Sequence, residues 1–278
     1  MKVDILSDVH FDSYFPIKRK YEKEEVKKFF DPFFLQNNRK VGEVLILAGD
    51  IGHWNDQNIA ILKIIKDEYY KYIVCVLGNH DYYLNRIQQD DYDENSYERV
   101  KEMRKLINAE DGMYCLDGNV IEINGVHFGG CDSSYSNAYI KKYFPKADHP
   151  KSNNEMWKRT MQDSSMMFGI NQYNQLYKEE IQKIERIYQD CDVMITHVNP
   201  SYLKEHISPK FQNNITSTFF CFDGHRFLEG GTMKYWIFGH THDNIEYEYQ
   251  GVQCICNPLG YPSELVPPAF ERVKSVEV

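Results

Sequence analysis

The chain has 278 residues, 26% of them charged, and a formal net charge of -9 at pH 7. That length is enough for one large domain with a buried core. The acidic balance argues against a protein that coats nucleic acid, because binding along a phosphate backbone requires a basic stripe. We therefore expect no stable nucleic-acid partner.

The cysteine spacings and the lengths of the apolar runs predict the cellular compartment of the protein. Seven cysteines are scattered along the chain, and none of their spacings is that of a zinc finger, so they indicate reduced thiols. The first apolar run, residues 3–6, is too short for a signal peptide. No run approaches the roughly 18 apolar residues of a membrane helix. These features predict a cytoplasmic protein that does not bind a membrane.

Short apolar runs alternate with segments of helical periodicity, which predicts an α/β fold. Because the apolar runs are continuous rather than alternating, they predict buried strands. In chain order these strands lie at 3–6, 44–48, 73–77, 193–196 and 235–238. Apolar residues at helical spacing predict helices over 58–70 and 176–188.

Other segments complete the predicted domain, which spans residues 1–278. Asn124-Gly125 separates apolar runs at 120–123 and 126–130 and predicts a hairpin, because this dipeptide accepts the positive φ angles of a tight turn. Alternating residues predict two antiparallel strands at 245–249 and 252–256. The segment 14–40 is rich in Lys, Glu and Phe, and this composition predicts a loop and a helix. Residues 133–173 show little periodicity, and so long a stretch in a compact domain predicts a lid.

Residue types that bind metals follow each of the five predicted buried strands. In open α/β sheets, ligands bind beyond the carboxyl ends of the strands, so we expect these clusters to meet at one edge. One such residue alone is usually a turn or cap residue, but five clusters in succession favour a common site. The clusters are Asp8 and His10; Asp50; Asn79, His80 and Asp81; His197; and His240 and His242.

The donor types indicate the class of metal. Carboxylate, imidazole and amide groups without thiolate suit Mn, Fe, Zn or Ni. The candidate ligands are too many for one tetrahedral ion, and two ions that share Asp50 account for the number. Such a pair clamps the attacking and leaving oxygens of a phosphoryl displacement. The sequence therefore predicts two divalent ions, with Mn2+ preferred and Fe, Ni or Zn as alternatives.

The motifs Asp-x-His, Gly-Asp, Gly-Asn-His-Asp, a later His and Gly-His-x-His, in this order, resemble the calcineurin-like metallophosphoesterases. All five lie within residues 8–242. The resemblance implies a four-layer α-β-β-α sandwich of two mixed sheets flanked by helices. It implies attack by a metal-bridging hydroxide. It also implies one ion held by Asp8, His10, Asp50 and His242 and another held by Asp50, Asn79, His197 and His240.

The stretch Gly78-Asn79-His80-Asp81 combines three roles in this interpretation. Asn79 would be a neutral ligand that also touches the phosphate. His80 would point toward the substrate and protonate the leaving alkoxide or stabilise its charge. Asp81 would fix the His80 tautomer. Gly78 would let the preceding strand turn sharply.

Departures from the family pattern narrow the expected substrate. Protein Ser/Thr phosphatases of the family carry Gly-Asp-x-x-Asp-Arg-Gly, whereas this chain has no Arg in the corresponding stretch 49–55. The absence of this Arg favours a phosphodiester or pyrophosphate substrate over a phosphomonoester. Aromatic residues near the motifs would stack on a base; beside the motifs stand Tyr82, Tyr83, Phe220, Phe222 and Tyr261. The predicted substrate contacts are His53, Tyr82, Phe222 and Asp223.

These features predict a phosphodiesterase or phosphatase for a small anionic, nucleotide-like ester such as a cyclic nucleotide or dinucleotide. Three alternatives stay open: a DNA exonuclease or endonuclease, a phosphomonoesterase, and a metal-bound interaction scaffold without activity.

Overall fold

The computed structural model describes residues 1–18, 20–35, 39–265 and 273–278. Within these ranges the chain forms two sheets and ten α-helices. The first sheet contains β1 (Lys2–Leu6), β2 (Val44–Ala48), β3 (Tyr72–Val76), β4 (Met113–Cys115) and β11 (Lys274–Glu277). Its order is β11-β1-β2-β3-β4, with β1 to β4 parallel and β11 antiparallel at the edge.

The second sheet is also mixed. It contains β5 (Asn119–Ile123), β6 (Val126–Gly130), β7 (Val193–Ile195), β8 (Tyr235–Phe238), β9 (Ile245–Tyr249) and β10 (Val252–Cys256). Its order is β5-β6-β7-β8-β10-β9, with antiparallel pairs at both edges and parallel pairs between them. The predicted hairpin is confirmed as β5–β6, and Asn124 and Gly125 adopt φ angles of 52° and 80° in its turn.

Two of the helices are those that the periodicity predicts. The helices are α1 (Phe11–Tyr14), α2 (Lys23–Phe34), α3 (Asn55–Tyr69), α4 (Arg86–Asp91), α5 (Ser96–Asn108), α6 (Ala138–Tyr143), α7 (Pro150–Thr160), α8 (Asp163–Met166), α9 (Gln175–Ile187) and α10 (His225–Gly230). Helices α3 and α9 match the predictions, and α2 lies in the segment expected to hold a helix. Segment 133–173 contains α6, α7 and α8. In the described ranges, every helix is too short or too polar to traverse a lipid bilayer.

One hydrophobic core lies between the two sheets. Successive strand residues point to opposite faces, so alternate residues of β1, β2 and β3 face the second sheet, and the others face helices. The inner faces contribute Val3, Ile5, Val44, Ile46, Val74, Val76, Phe128, Val193, Ile195, Ile237 and Ile255, all at most 2% exposed. The outer residues Leu45 and Leu47 join a second cluster with Ile61 and Leu62 of α3. This is the four-layer α-β-β-α sandwich that the sequence predicts.

Candidate metal centre

The loops after β1, β2, β3, β7 and β8 meet at one edge of the sandwich. The first three strands belong to one sheet and the last two to the other, so the edge joins both sheets. The seven residues predicted as ligands all lie here: Asp8, His10, Asp50, Asn79, His197, His240 and His242.

The first group contains Asp8, His10, Asp50 and His242. One donor atom of each lies within 4.8 Å of the others. The Nε2 atoms of His10 and His242 are 3.2 Å apart, and His242 Nε2 is 3.6 Å from Asp8 Oδ1. His10 Nε2 is 3.8 Å from Asp50 Oδ2. These donors converge on one point, as the ligands of a single ion do.

The second group contains Asp50, Asn79, His197 and His240. Asp50 Oδ1 is 3.4 Å from His197 Nε2. Asn79 Oδ1 is 2.9 Å from both His197 Nε2 and His240 Nδ1. Asp50 thus directs one carboxylate oxygen toward each group, which is the arrangement that a bridging ligand requires.

The hydrogen bonds of the imidazoles show that this donor set fits a cation. His197 Nδ1 lies 2.8 Å from the Ala48 carbonyl, and His240 Nε2 lies 2.9 Å from the Phe219 carbonyl. A carbonyl only accepts, so these nitrogens carry protons, and when the imidazoles are neutral their other nitrogens direct lone pairs at Asn79 Oδ1. Lone pairs that face an amide oxygen at 2.9 Å repel one another unless positive charge lies between them. A divalent cation supplies that charge, and the carbonyls orient its ligands.

In the metal-free protein, a proton on His197 supplies positive charge at this position. Burial opposes protonation of His197, but the adjacent Asp50 carboxylate outweighs it and raises the pKa of His197 to about 10. A metal ion that binds at this position would displace the proton, since histidine ligands are deprotonated.

Backbone strain is concentrated at the same residues. Five of the seven have positive φ angles, a region that non-glycine residues rarely occupy and that clusters at functional sites. Contacts between the loops hold this conformation: Asp8 accepts a hydrogen bond from the His240 backbone N–H at 2.9 Å. The angles are 50° at Asp8, 39° at His10, 54° at Asp50, 72° at His240 and 50° at His242.

His80 lies beside the first group, with its ring centroid 4.8 Å from that of His10. Its Nδ1 is 3.0 Å from His53 Nε2, and its Nε2 is 3.4 Å from the Tyr261 hydroxyl. Burial lowers the pKa of His80 to about 4, although Asp50 acts in the opposite direction. The imidazole is therefore neutral at pH 7, with one nitrogen held by His53 and the other directed toward Tyr261.

The predicted pairing of Asp81 with His80 is wrong. The Asp81 carboxylate accepts hydrogen bonds from the backbone N–H groups of Gly78 at 2.8 Å, Ile51 at 3.2 Å and Gly52 at 3.3 Å. Residues 79–82 form a 3-10 turn, which directs neighbouring side chains to different sides. Burial and the nearby Asp50 raise the pKa of Asp81 to about 7. His53, rather than Asp81, contacts Nδ1 of the His80 ring.

A cavity of about 310 Å³ opens over the centre. Its floor is formed by Asp50, Asn79, His80, His240 and His242. The walls come from five separate parts of the chain and include one stretch of segment 133–173. The wall residues are Tyr83, Thr160, Met161, Gln162, Phe211, Phe220, Thr241 and Tyr261.

None of the four predicted substrate contacts lines this cavity. Tyr82 is buried and donates to Asp132 Oδ2 at 2.8 Å, and Phe222 is buried against Trp236. Asp223 is half exposed beside His225. His53 lies behind His80 rather than on the wall. Residues 160–162 and Phe211 are lining residues that the sequence reasoning missed, because no motif marks them.

The geometry agrees with a comparison of the sequence with protein families. The family model of the calcineurin-like phosphoesterases matches residues 1–244. The chain belongs to the calcineurin-like phosphoesterase family. Proteins of this family bind pairs of divalent metal ions, and the two ligand groups of this chain fit such a pair.

Individual proteins similar to this calcineurin-like phosphoesterase come from distant sources. The structure of phosphopantetheinyl hydrolase from Mycobacterium tuberculosis is similar with a TM-score of 0.66 and 17% identity, over 99% of this chain and 95% of that one. An uncharacterized protein of Acanthamoeba polyphaga mimivirus is 26% identical over 234 residues, 79% of each chain. At 17% identity the structural likeness shows the fold.

Arg99 is a buried part of the phosphoesterase site that no motif indicates. Its guanidinium donates to the carbonyls of Gly52 at 2.6 Å and of His80 and Tyr83 at 2.8 Å each. It lies on α5, far from the motifs in sequence. Together with Asp81 it ties the loop after β2 to the loop after β3, and this link fixes where His80 stands.

Gly78 is required for a different reason from the predicted one. Its φ and ψ of -111° and -173° are ordinary extended values, so the strand does not turn sharply there. A Cβ at this position would lie 2.2 Å from Asp50 Oδ1 and 2.6 Å from His197 Cε1. The metal ligands therefore occupy the space of the missing side chain.

Proposed function

We propose that this calcineurin-like phosphoesterase is a metal-dependent phosphodiesterase that acts on a small nucleotide-like ester, such as a cyclic nucleotide or dinucleotide. The observation that carries this proposal is the charge of the cavity. Among the described residues that line it, none is Lys or Arg. A terminal phosphate carries up to two negative charges and is usually held by Arg or Lys as well as metal. A diester carries one negative charge, which the two cations would balance.

The aromatic wall supports a nucleotide-like substrate. The rings of Phe211 and Phe220 are nearly parallel, at 2° with centroids 6.2 Å apart, and Phe211 is 38% exposed. Exposed aromatic faces bind bases by stacking. The cavity volume of about 310 Å³ is at the lower end of the range for small-molecule pockets, about 300–1,000 Å³. A single nucleotide unit suits this space better than a duplex.

The residues have distinct roles in this reaction. When bound, two divalent cations would polarise the phosphoryl group and lower the pKa of the attacking water. Asp8, His10 and His242 would hold one ion, His197, His240 and Asn79 the other, and Asp50 both. His80 would donate a hydrogen bond from Nε2 to the leaving oxygen, while His53 holds its Nδ1. We expect Mn2+ to support the activity, because the mixed carboxylate and imidazole donors suit it.

A substrate panel in Mn2+ tests this proposal. We expect kcat/KM for bis-p-nitrophenyl phosphate, cyclic nucleotides and dinucleotides to exceed that for p-nitrophenyl phosphate. Within this panel, Phe211→Ala should raise KM about 10-fold for nucleotides only, because stacking contributes about 1–3 kcal/mol per base. Ile87→Ala is the matched control, since Ile87 is 65% exposed and lies outside the cavity.

Other outcomes of the panel would replace the proposal. Preference for monoesters would indicate a phosphatase, and cleavage of single-stranded or duplex DNA would indicate a nuclease. A phosphopantetheinyl ester belongs in the panel, because the structurally similar M. tuberculosis protein is a phosphopantetheinyl hydrolase. Two bound ions without any turnover would indicate an interaction scaffold.

A further inference from the structure

Asp163, the first residue of α8, lies against the metal centre without being a predicted ligand. It is 0% exposed. Its Oδ1 accepts hydrogen bonds from Asn79 Nδ2 at 3.0 Å and from the Tyr83 hydroxyl. Its Oδ2 accepts one from the Tyr135 hydroxyl at 2.6 Å. These three donors converge on one carboxylate of segment 133–173.

The contact with Asp163 determines which way the Asn79 amide faces. An ionised carboxylate only accepts hydrogen bonds, so the NH2 group of Asn79 must be directed at Asp163. The amide oxygen then faces the opposite side, 2.9 Å from His197 Nε2 and from His240 Nδ1. A flipped amide would place its oxygen against the carboxylate and its NH2, which is no metal ligand, in the second ion site.

We infer that Asp163 is a positioning residue of the metal centre, which holds the Asn79 side chain with its oxygen toward the second ion. The inference rests on the ligand role of Asn79 in the proposed function. The NH2 group of Asn79 also lies 3.2 Å from the Tyr83 hydroxyl, so Tyr83 and Asp163 contact the same side of the amide.

The same carboxylate joins the centre to one wall of the cavity. Residues 160–162 line the cavity and directly precede Asp163. Trp157 of α7 donates to the Tyr135 hydroxyl at 2.5 Å, and Tyr135 in turn donates to Asp163. Segment 133–173 therefore contributes both to metal binding and to the shape of the substrate site.

Asp163→Asn tests the inference without substrate, by isothermal titration of Mn2+ into metal-free protein. The substituted amide no longer forces the Asn79 NH2 group toward it. We expect affinity for the more weakly bound ion to fall about 10- to 100-fold, as for other partners of metal ligands. Tyr135→Phe is the matched control. It removes the hydrogen bond to Oδ2 and keeps the Asn79 contact, so metal affinity should stay within about 3-fold.

A double substitution separates positioning from a general structural role. In Asn79→Asp with Asp163→Asn, residue 79 offers oxygen in either orientation and the amide at 163 donates to it. We expect this pair to restore the affinity to within about 3-fold of the original, with stability checked by thermal melting. If Asp163→Asn alone does not fold, the double variant decides, because a folded variant that binds two ions supports the pairing and an unfolded one contradicts it.

Two results would overturn the inference: wild-type affinity in Asp163→Asn, or a loss that the double variant does not reverse. Binding of a single ion by the original protein would overturn it together with the proposed centre. Two bound ions with the expected Asp163 effect and no turnover would overturn only the proposed phosphodiesterase.

Discussion

Asp50→Asn is expected to abolish binding of two metal ions and, with it, phosphoester hydrolysis. Asp50 directs Oδ1 at His197 and Oδ2 at His10, so it is the only residue of the described centre that belongs to both groups. Asparagine offers one neutral oxygen in place of two charged ones. Loss of a hydrogen-bond partner of a ligand already costs about 10- to 100-fold in metal affinity, and loss of a shared ligand should cost more.

Metal content after dialysis, measured by mass spectrometry, checks this prediction, together with titration of Mn2+. Asp56→Asn is the matched control, because this exposed aspartate at the start of α3 carries the same charge and lies outside both ligand groups. The control should bind two ions. Tight binding of two ions by Asp50→Asn would show that the carboxylate is not the bridge.

His80→Ala is expected to lower kcat by about 100- to 1,000-fold while both ions remain bound, the range for loss of one hydrogen-bond donor to a developing charge. The His80 ring lines the cavity floor, and the backbone N–H of His80, which the substitution keeps, donates to Asp50 Oδ1 at 2.8 Å. His53 holds its Nδ1 at 3.0 Å, which leaves Nε2 for the leaving oxygen. Metal content should be unchanged, because His80 belongs to neither ligand group.

The identity of the leaving group makes this test more specific. p-Nitrophenolate leaves readily without a hydrogen bond. The loss of kcat in His80→Ala should therefore be smaller for bis-p-nitrophenyl phosphate than for a dinucleotide. His127→Ala is the control, since His127 lies exposed on the β5–β6 hairpin. A His80→Ala variant that keeps both ions and most of its kcat on a dinucleotide would contradict the assigned role.

The positions of the strands and of the ligand residues followed from local patterns. Each buried strand is a short apolar run, and each is followed within a few residues by Asp, Asn or His. Parallel strands place their carboxyl ends together, so this order along the chain was enough to predict which side chains meet. The Asn124-Gly125 turn was equally local, because its two residues fix the backbone conformation by themselves.

The supporting residues could not be found in this way, because their contacts join distant parts of the chain. Arg99 binds loops 47 and 19 residues away, and Asp163 binds Asn79 across 84 residues. Glu264 accepts a hydrogen bond from His242 Nδ1 at 2.8 Å, yet it lies in a 3-10 turn without a motif. A single buried or exposed acid in a sequence does not indicate which distant group it will contact.

Side-chain direction was the other limit. Tyr82 and Tyr83 are neighbours, yet only Tyr83 lines the cavity, while Tyr82 is turned into the core toward Asp132. The 3-10 turn at residues 79–82 separates Asn79, His80 and Asp81 in the same way. Sequence adjacency therefore identified the right loop, and the backbone of that loop decided which side chain faces the substrate.

The most direct measurement is a titration of Mn2+ into metal-free protein, followed at each step by hydrolysis of bis-p-nitrophenyl phosphate and of p-nitrophenyl phosphate. We expect diester hydrolysis to remain low until the second equivalent of metal is bound and then to rise, with the monoester hydrolysed more slowly throughout. Full activity after one equivalent, or two bound ions without diester hydrolysis, would contradict a dinuclear phosphodiesterase.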